Sequence, residues 1–252
     1  MKRIVAGPRA VMEALYSGAH KIAVVYLAQG YQSKKNLLHI EKLAIKNRVI
    51  CEERSRGCLD KLAKNQRHQD VIAIGGDYCY LDMETLLPRE SAPLLLIALD
   101  QITDPHNFGA IVRSAVALGA DGIVILKDRA SRVTPTVVRT SAGATEHAKI
   151  ARVTNLARTL KALRERGMQI IGLDAAGIKE LSAIPCAAQG RVLVVGSEGS
   201  GLRRLTKENC DVLAKIPLPG PISSLNASVA AAIALYESDR MRRQQLAIDG
   251  RG

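Results

Sequence analysis

The chain has 252 residues, 47% hydrophobic and 24% charged, a balance that excludes a disordered protein. No apolar run reaches the roughly 18–20 residues of a membrane span, and the start, MKRIVAGPRAVMEAL, lacks the apolar core and small-residue cleavage site of a signal peptide. The net charge of +12 points to a polyanion as partner, while the absence of a basic amphipathic helix with aromatic anchors argues against a membrane surface.

Residues 1–70 read as a small α/β unit. AVMEALYSG is a short helix ending at Gly18, KIAVVYLAQG a strand, HIEKLAIKNR a helix, VICEE a strand, CLDKLAKN a helix and VIAIGG a strand. This stretch holds 14 Lys and Arg against 6 Asp and Glu, the remainder of the chain 22 against 18, so two thirds of the excess positive charge sits in the smaller part. A basic module joined to a nearly balanced one suggests that the first meets a polyanion and the second does chemistry. The boundaries predicted are a basic domain over 1–74, a Gly-, Pro- and acid-containing linker over 75–92 and a second domain over 93–252. In the second domain LLLIALD (94–100) is a buried-type strand. It is followed by helix 108–119, strand 122–126, helix 155–167, strand 169–173, strand 191–195, a short helix near 201–209, strand 213–216 and a long helix over 225–245. Fully apolar strands alternating with helices predict an α/β domain with a mostly parallel sheet covered on both faces. Five cysteines, an odd number without CxxC spacing, read as free thiols in a reducing compartment, and no metal site is expected.

Three polar loops follow strand ends, where open α/β sheets place their ligands. In LDQITDPHNFGAIVRSAVALG (99–119), Asp104-Pro105 or Asn107 is a helix start, and Arg113 stands among Ala110, Ser114 and Ala117, able to reach a phosphate. His106 reads as structural or solvent-facing rather than as a general base, and Phe108, the only phenylalanine, as a hydrophobic anchor. In VVGSEGSGL (194–202), Gly196, Gly199 and Gly201 let backbone approach a ligand, but the spacing is neither GxGxxG, GxxxxGK[ST] nor GxSxG. Glu198 could bind a ligand amine, hold Arg113 or serve as a helix-start acid. In IPLPGPISSLNASVAAAIALYE (216–237), three prolines and a glycine make a stiff loop, and Ser224 or Asn226 can cap the alanine-rich helix. What these loops share is a glycine/proline backbone pocket lined with Asn, Ser, Glu and one Arg, suited to positioning a reactive small molecule beside a phosphate-bearing partner.

The order NFGAIVRSA, VVGSEGSGL, IPLPGPISSLNASVAAAIALYE resembles the three motifs of the SpoU (TrmH-type) RNA ribose 2′-O-methyltransferases of the SPOUT superfamily, over about residues 94–245 and with no departure inside the motifs. The N-terminal IVAGPRAVMEAL and its basic unit resemble the L30e-like RNA-binding domain of the RlmB-type members, which methylate a guanosine of 23S rRNA. The resemblance implies a SPOUT domain with a deep trefoil knot, a homodimer with its site beside the interface, and a cytoplasmic enzyme of rRNA processing. It also implies S-adenosylmethionine held by the last two loops at Gly196, Ile216, Leu218, Leu225 and Asn226, and a catalytic set of Asn107, Arg113, Glu198, Ser224 and Asn226. No DNA or membrane partner is implied. The family's arginine has been proposed as the base, but a guanidinium keeps its proton, so the chemistry favours phosphate binding and alkoxide stabilisation by Arg113. Asn107 and Asn226 would then orient Arg113 and the ribose, Glu198 would fix the Arg or its loop, and Ser224 would bond substrate or backbone. Aromatic residues are 3% of the chain with no Trp, so RNA is expected to be read by charge and shape. Competing readings are a methyltransferase of tRNA or of an rRNA drug-resistance site, and a non-catalytic RNA-binding or ribosome-assembly factor.

Overall fold

The computed structural model describes residues 3–18, 20–64, 67–87 and 93–248. The chain divides into two units, Met1–Cys79 with Arg132–His147, and Tyr80–Ser131 with Ala148–Gly252. In chain order the first unit supplies β1 (Arg3–Ala6), α1 (Pro8–Ser17), β2 (Ile22–Ala28), α2 (Lys35–Lys46), β3 (Ile50–Arg54), α3 (Arg56–Ala63) and β4 (Val71–Gly75). The second begins with α4 (Met83–Leu86), β5 (Leu94–Asp100), α5 (Pro105–Ala117) and β6 (Gly122–Leu126). Helix α6 (Pro135–Thr140) belongs to the first unit. The second then continues through β7 (Ile150–Val153), α7 (Leu156–Glu165), β8 (Gln169–Leu173), β9 (Lys179–Glu180), β10 (Gly190–Gly196), α8 (Arg204–Glu208), β11 (Val212–Lys215) and α9 (Ala227–Ile248).

The first unit is a four-stranded mixed sheet, order β1-β4-β2-β3, antiparallel except for the β2/β3 pair. Its helices bury Val11, Leu37, Ile40 and Ala44 against Val5, Val25 and Val71. Two features depart from the predicted boundaries. First, the segment 132–147, expected in the second domain, packs here. Val138 is buried in this unit's core, and α6 lies against β1. Gly143, at φ 87, leaves no room for a side chain, since a Cβ there would lie 2.9 Å from Glu13 Cβ. The guanidinium of Arg3 meets the carboxylate of Glu146 at 2.5 and 3.1 Å, both side chains buried. Second, the expected linker carries structure. Leu81 bridges to Ala151 beside β7, Asp82 caps α4 by accepting from Thr85 N at 2.8 Å, and Leu86 is buried in the second unit's core. Residues 88–92 of that linker lie outside the described residues.

The second unit is a seven-stranded sheet, order β7-β6-β5-β10-β8-β11-β9, and every pairing is parallel. Strands this apolar (Leu95–Leu99, Ile123–Ile125, Val192–Val194) need cover on both faces. Helices α4 and α7 bury Leu86, Leu156, Leu160 and Leu163 against Leu96, Val124, Val192 and Val194. Helices α5 and α9 pack on each other and on β5, β6 and β10. The alanines of α9 serve that packing, with Ala227, Ala231 and Ala234 buried. Its far half is pinned twice. Arg191, 2% exposed at the start of β10, donates to Ser238 Oγ at 3.2 Å and to Ile184 O at 2.6 Å, while Arg242 donates to Asp121 Oδ2 and Gly119 O, both at 2.8 Å. The strand order has one consequence for function. From β5 the chain leaves toward β6, and from its neighbour β10 it leaves toward β8 and β11, so the loops after these strands diverge and open a crevice at their carboxyl ends.

Candidate active site

All three polar loops of the sequence meet at that crevice. After β5, Asp104 caps α5. Its carboxylate accepts from His106 N at 3.2 Å and Asn107 N at 2.9 Å, and Pro105 occupies the first helical turn, where its missing N–H costs nothing. This fixes Asn107 at the mouth of the crevice. Phe108, 1% exposed, anchors the helix start as expected. After β10 the chain doubles back over Ser197–Gly201, closed by Gly201 N to Ser197 O at 2.9 Å and by a 2.6 Å contact between the Ser197 and Ser200 hydroxyls. Gly196 is required by that turn, because a Cβ on it would lie 2.2 Å from Gly201 C. After β11, the proline-rich stretch 216–225 leads to Asn226. Its Oδ1 caps α9, accepting from Ser228 N at 2.9 Å and Val229 N at 3.3 Å. Of the two caps offered by the sequence, the structure uses Asn226 and not Ser224.

Glu198 ties the loops together. Its Oε1 accepts from Asn107 Nδ2 at 3.0 Å, from Ala227 N at 3.3 Å and from Asn226 Nδ2, which also donates to Asn107 Oδ1 at 2.9 Å. The carboxylate therefore fixes both amides and sits at the positive end of α9, while Oε2 has no partner among the described residues. Of the roles open to Glu198, the bonds show those of loop tie and helix-start acid and not that of holding Arg113, and the Asn226 amide is committed to Asn107, Glu198 and Ser228 rather than to Arg113. Arg113 is exposed on α5 and makes no hydrogen bond or ion pair among the described residues. Six residues along a helix lie about 120° around its axis and about 9 Å up it, so Arg113 faces away from the bonds of Asn107.

A cleft of 1310 Å³ runs from this cluster along the carboxyl ends of β8, β10 and β11. It is lined by Gly196, Glu198, Ile216, Leu218, Ser224, Leu225 and Asn226, which brings together every residue expected from the last two loops. Its walls suit a nucleoside carrying a cation. Ile216, Leu218 and Leu225 offer apolar contact to a purine, the glycine/proline backbone offers N–H and C=O groups, and Glu180 and Glu198 offer negative charge beside Lys215 and the paired Asp174 and Lys207. Sequence reasoning did not single out Asp174 or its partner Lys207, 2.5 Å away across the cleft wall. The Lys207 ammonium, helped by Ala176 N, holds the Asp174 carboxyl below its ordinary value against a desolvation cost. It also missed Asp100, 0% exposed, which accepts from Arg203 N at 3.0 Å and Arg203 Nε at 2.7 Å. The signal was present in both cases, since LLLIALD and QIIGLD are apolar strands that end in an aspartate, and a carboxylate at such a place must be paired. Beside them, burial and the carboxylates of Asp211 and Asp100 push the Cys210 thiol up to about 12. Among the described residues no cluster of His, Cys, Asp and Glu could hold a metal ion, and no helix is long and apolar enough to cross a membrane.

Residues 94–236 match the family model described as the SpoU rRNA Methylase family, and residues 4–80 match that of the RNA 2′-O ribose methyltransferase substrate-binding domain. An uncharacterized tRNA/rRNA methyltransferase of Mycolicibacterium vanbaalenii is 43% identical over 243 residues, covering 95% of this chain and 77% of its own. Among solved structures, the SpoU methyltransferase AviRb from Streptomyces viridochromogenes, in complex with AdoMet, superimposes with a TM-score of 0.81 at 28% identity, covering 96% of this chain and 91% of its own. The TrmH/SpoU tRNA modifying enzyme of A. aeolicus gives 0.54 at 27% identity and covers only 64% of this chain and 80% of its own.

Proposed function

The chain belongs to the SpoU rRNA methylase family and is an S-adenosylmethionine-dependent RNA 2′-O-methyltransferase, and within that class we propose that it methylates a guanosine ribose of 23S rRNA. The observation that carries the assignment of the site is the hydrogen-bonded cluster of Asn107, Glu198 and Asn226, residues up to 119 positions apart that meet at the mouth of the cleft. Two features favour ribosomal RNA. The first unit carries most of the net positive charge and matches a substrate-binding model, and the tRNA modifying enzyme leaves about a third of this chain unmatched.

The bound cofactor supplies a methyl group already activated on a sulfonium, so the protein contributes alignment and help with the hydroxyl proton. Gly196, Ile216, Leu218 and Leu225 would hold the cofactor by backbone and apolar contacts, with Glu198 and Asn226 at the mouth of the same cleft toward the substrate. Glu198 keeps Asn107 and Asn226 in one orientation, leaving an Asn107 amide hydrogen and the Ser224 hydroxyl for the ribose. Arg113, always charged and not consumed by any partner among the described residues, binds the target's phosphate and stabilises the developing alkoxide. The protein acts in the cytoplasm, where its RNA is made, and as a homodimer. Val229, Ile233 and Tyr236 are 46%, 40% and 55% exposed at i, i+4, i+7 on α9, an apolar stripe beside α5 that a second copy would cover.

Transfer of labelled methyl from S-adenosylmethionine to undermodified 23S rRNA, with the labelled nucleotide mapped, tests this reading. Label on a guanosine 2′-oxygen supports it. Label on tRNA alone moves the target, and no label on any RNA restores the non-catalytic reading.

A further inference from the structure

We propose that Asp100 is a positioning residue for methyl transfer, the single fixed point from which both the loop carrying Asn107 and the loop carrying Glu198 are set. The inference rests on the cleft being the cofactor site. Asp100 is the last residue of β5 and is 0% exposed. The loop to α5 leaves from it directly, turning at once because Gln101 takes φ 61. Three residues later Asp104 caps the helix that bears Asn107. The second loop is tied to Asp100 at both ends. Where it begins, Gly196 is the register partner of Asp100 in the parallel pairing of β10 with β5. Where it ends, Arg203 N and Nε both donate to the Asp100 carboxylate, at 3.0 and 2.7 Å, just before α8 starts at Arg204. Between these ties stands Glu198, 3.0 Å from Asn107 Nδ2.

The chemistry of the pair suits an index rather than a surface bond. A fully buried carboxylate must be compensated, and here it is met by one backbone N–H and one guanidinium N–H in fixed directions. A shift of the second loop breaks one or both of these bonds and leaves the buried charge uncompensated at an apolar strand end, while the first loop leaves from Asp100 itself. The pair therefore resists small displacements of Glu198 relative to Asn107, and displacements of that order are costly to a reaction that depends on alignment. Neighbouring Arg204 provides the contrast. It pairs with Glu208 at 2.5 Å with side chains 77% and 51% exposed, within α8.

The test compares wild type with Asp100→Asn, Arg203→Met, the double variant, Arg203→Lys and Arg204→Gln. It measures S-adenosylmethionine affinity by calorimetry, single-turnover methyl transfer and thermal midpoint. Asp100→Asn keeps shape and one acceptor, so it should fold. The expected result is a loss of about tenfold or more in cofactor affinity and in the methyl-transfer rate at a temperature well below the midpoint. Arg203→Met should lose a similar amount and the double variant little more than either, because neighbours acting as one unit do not add. Arg203→Lys should recover part of the rate, and Arg204→Gln should match wild type. The proposal is overturned if Asp100→Asn and Arg203→Met lower only the midpoint, or if their effects on rate simply add. Should wild type itself bind no S-adenosylmethionine, the reading of the cleft fails instead, which is a separate outcome.

Discussion

Arg3 and Glu146 in the first unit lie 2.5 Å apart with 5% and 0% of their side chains exposed, whereas Glu198 in the second gathers three N–H groups while remaining exposed on a cleft. Both are carboxylates that join segments far apart in sequence. The first is buried, with Thr145 Oγ1 donating to Glu146 Oε1 at 3.5 Å and Ser17 Oγ to the Glu146 backbone carbonyl at 2.5 Å. The second keeps an oxygen unbonded among the described residues and lies beside three glycines and three prolines. Burying a charge costs free energy that the fold must recover through its partner, so an enclosed pair belongs to the architecture. A polar cluster left open to solvent at a strand-order crevice contributes little to stability and serves by what it holds in place. Substitutions in the two regions should therefore separate, lowering stability in one and turnover in the other.

The largest expected effect lies on the open side. Arg113→Ala should reduce methyl transfer by roughly 10²–10³-fold, the usual loss when one charge-stabilising donor is removed. The midpoint and S-adenosylmethionine affinity should stay near wild type, because Arg113 has no partner among the described residues to lose. Wild-type turnover in this variant would remove Arg113 from the mechanism. The mirror experiment is Glu146→Gln, which leaves Arg3 buried without a counter-charge and should lower unfolding stability by about 3 kcal/mol. Because Arg3, Glu146 and α6 all belong to the first unit, the protein that remains folded should bind cofactor as wild type does. Equal losses of stability and cofactor affinity would break the contrast between the two clusters.

A third test concerns charge rather than geometry. If the first unit reads RNA through its excess of Lys and Arg, affinity should fall on the order of 10²-fold between about 50 and 200 mM salt. Removing positive charge there should flatten the slope while leaving cofactor binding unchanged. A flat response in the wild type would require another reader.

How much of this was legible in the sequence differs between the two regions as well. The loops around the open cluster were visible because Gly and Pro punctuate them, while the choice of Asn107, Glu198 and Asn226 within them rested on the resemblance to the SpoU family. The strands of the second unit were visible from their apolar runs, with β5, β6 and β8 at the predicted residues. The enclosed cluster was not visible. Arg3 and Glu146 are 143 positions apart, and nothing in RIVA or ATEH announces a pairing. The excursion 132–147 was missed for the same reason, since α6 has six residues and its allegiance is set by Val138 packing on the first unit's core, a tertiary fact. Strands β1 and β7, four residues each, are too short for periodicity to register. Asp100 and Arg203 fall between these cases. The aspartate at a strand end signals that a partner must exist, but only the sheet order says that the partner comes from the loop after β10.

The smallest effect expected sharpens the account of the enclosed side. His20, 8% exposed, packs its ring 4.3 Å from that of Tyr78 at a 41° tilt, and its Nδ1 has no hydrogen-bond partner among the described residues. Burial, and next the Arg3 guanidinium, hold its pKa below the ordinary imidazole value of 6.5, with Glu146 pulling the other way. The sign follows from proton uptake. Below 6.5 the unfolded chain takes up a proton that folded His20 still refuses, so stability is greatest above that value and falls as pH is lowered through it. The fall ends once the folded imidazole is also protonated. The aspartates held low, Asp70 and Asp174, start from 3.8 and lose their contribution only in more acidic solution, below the window in which His20 acts. Lowering the pH from about 7.5 to about 5.5 should therefore reduce the thermal midpoint by a few degrees at most, and His20→Phe should remove that component. Glu146→Gln should enlarge it, because the one neighbour that favours the charged imidazole is gone while Arg3 remains. A His20→Phe profile parallel to wild type would show that the enclosed cluster does not sense pH at all and that its role is confined to the Arg3–Glu146 bond.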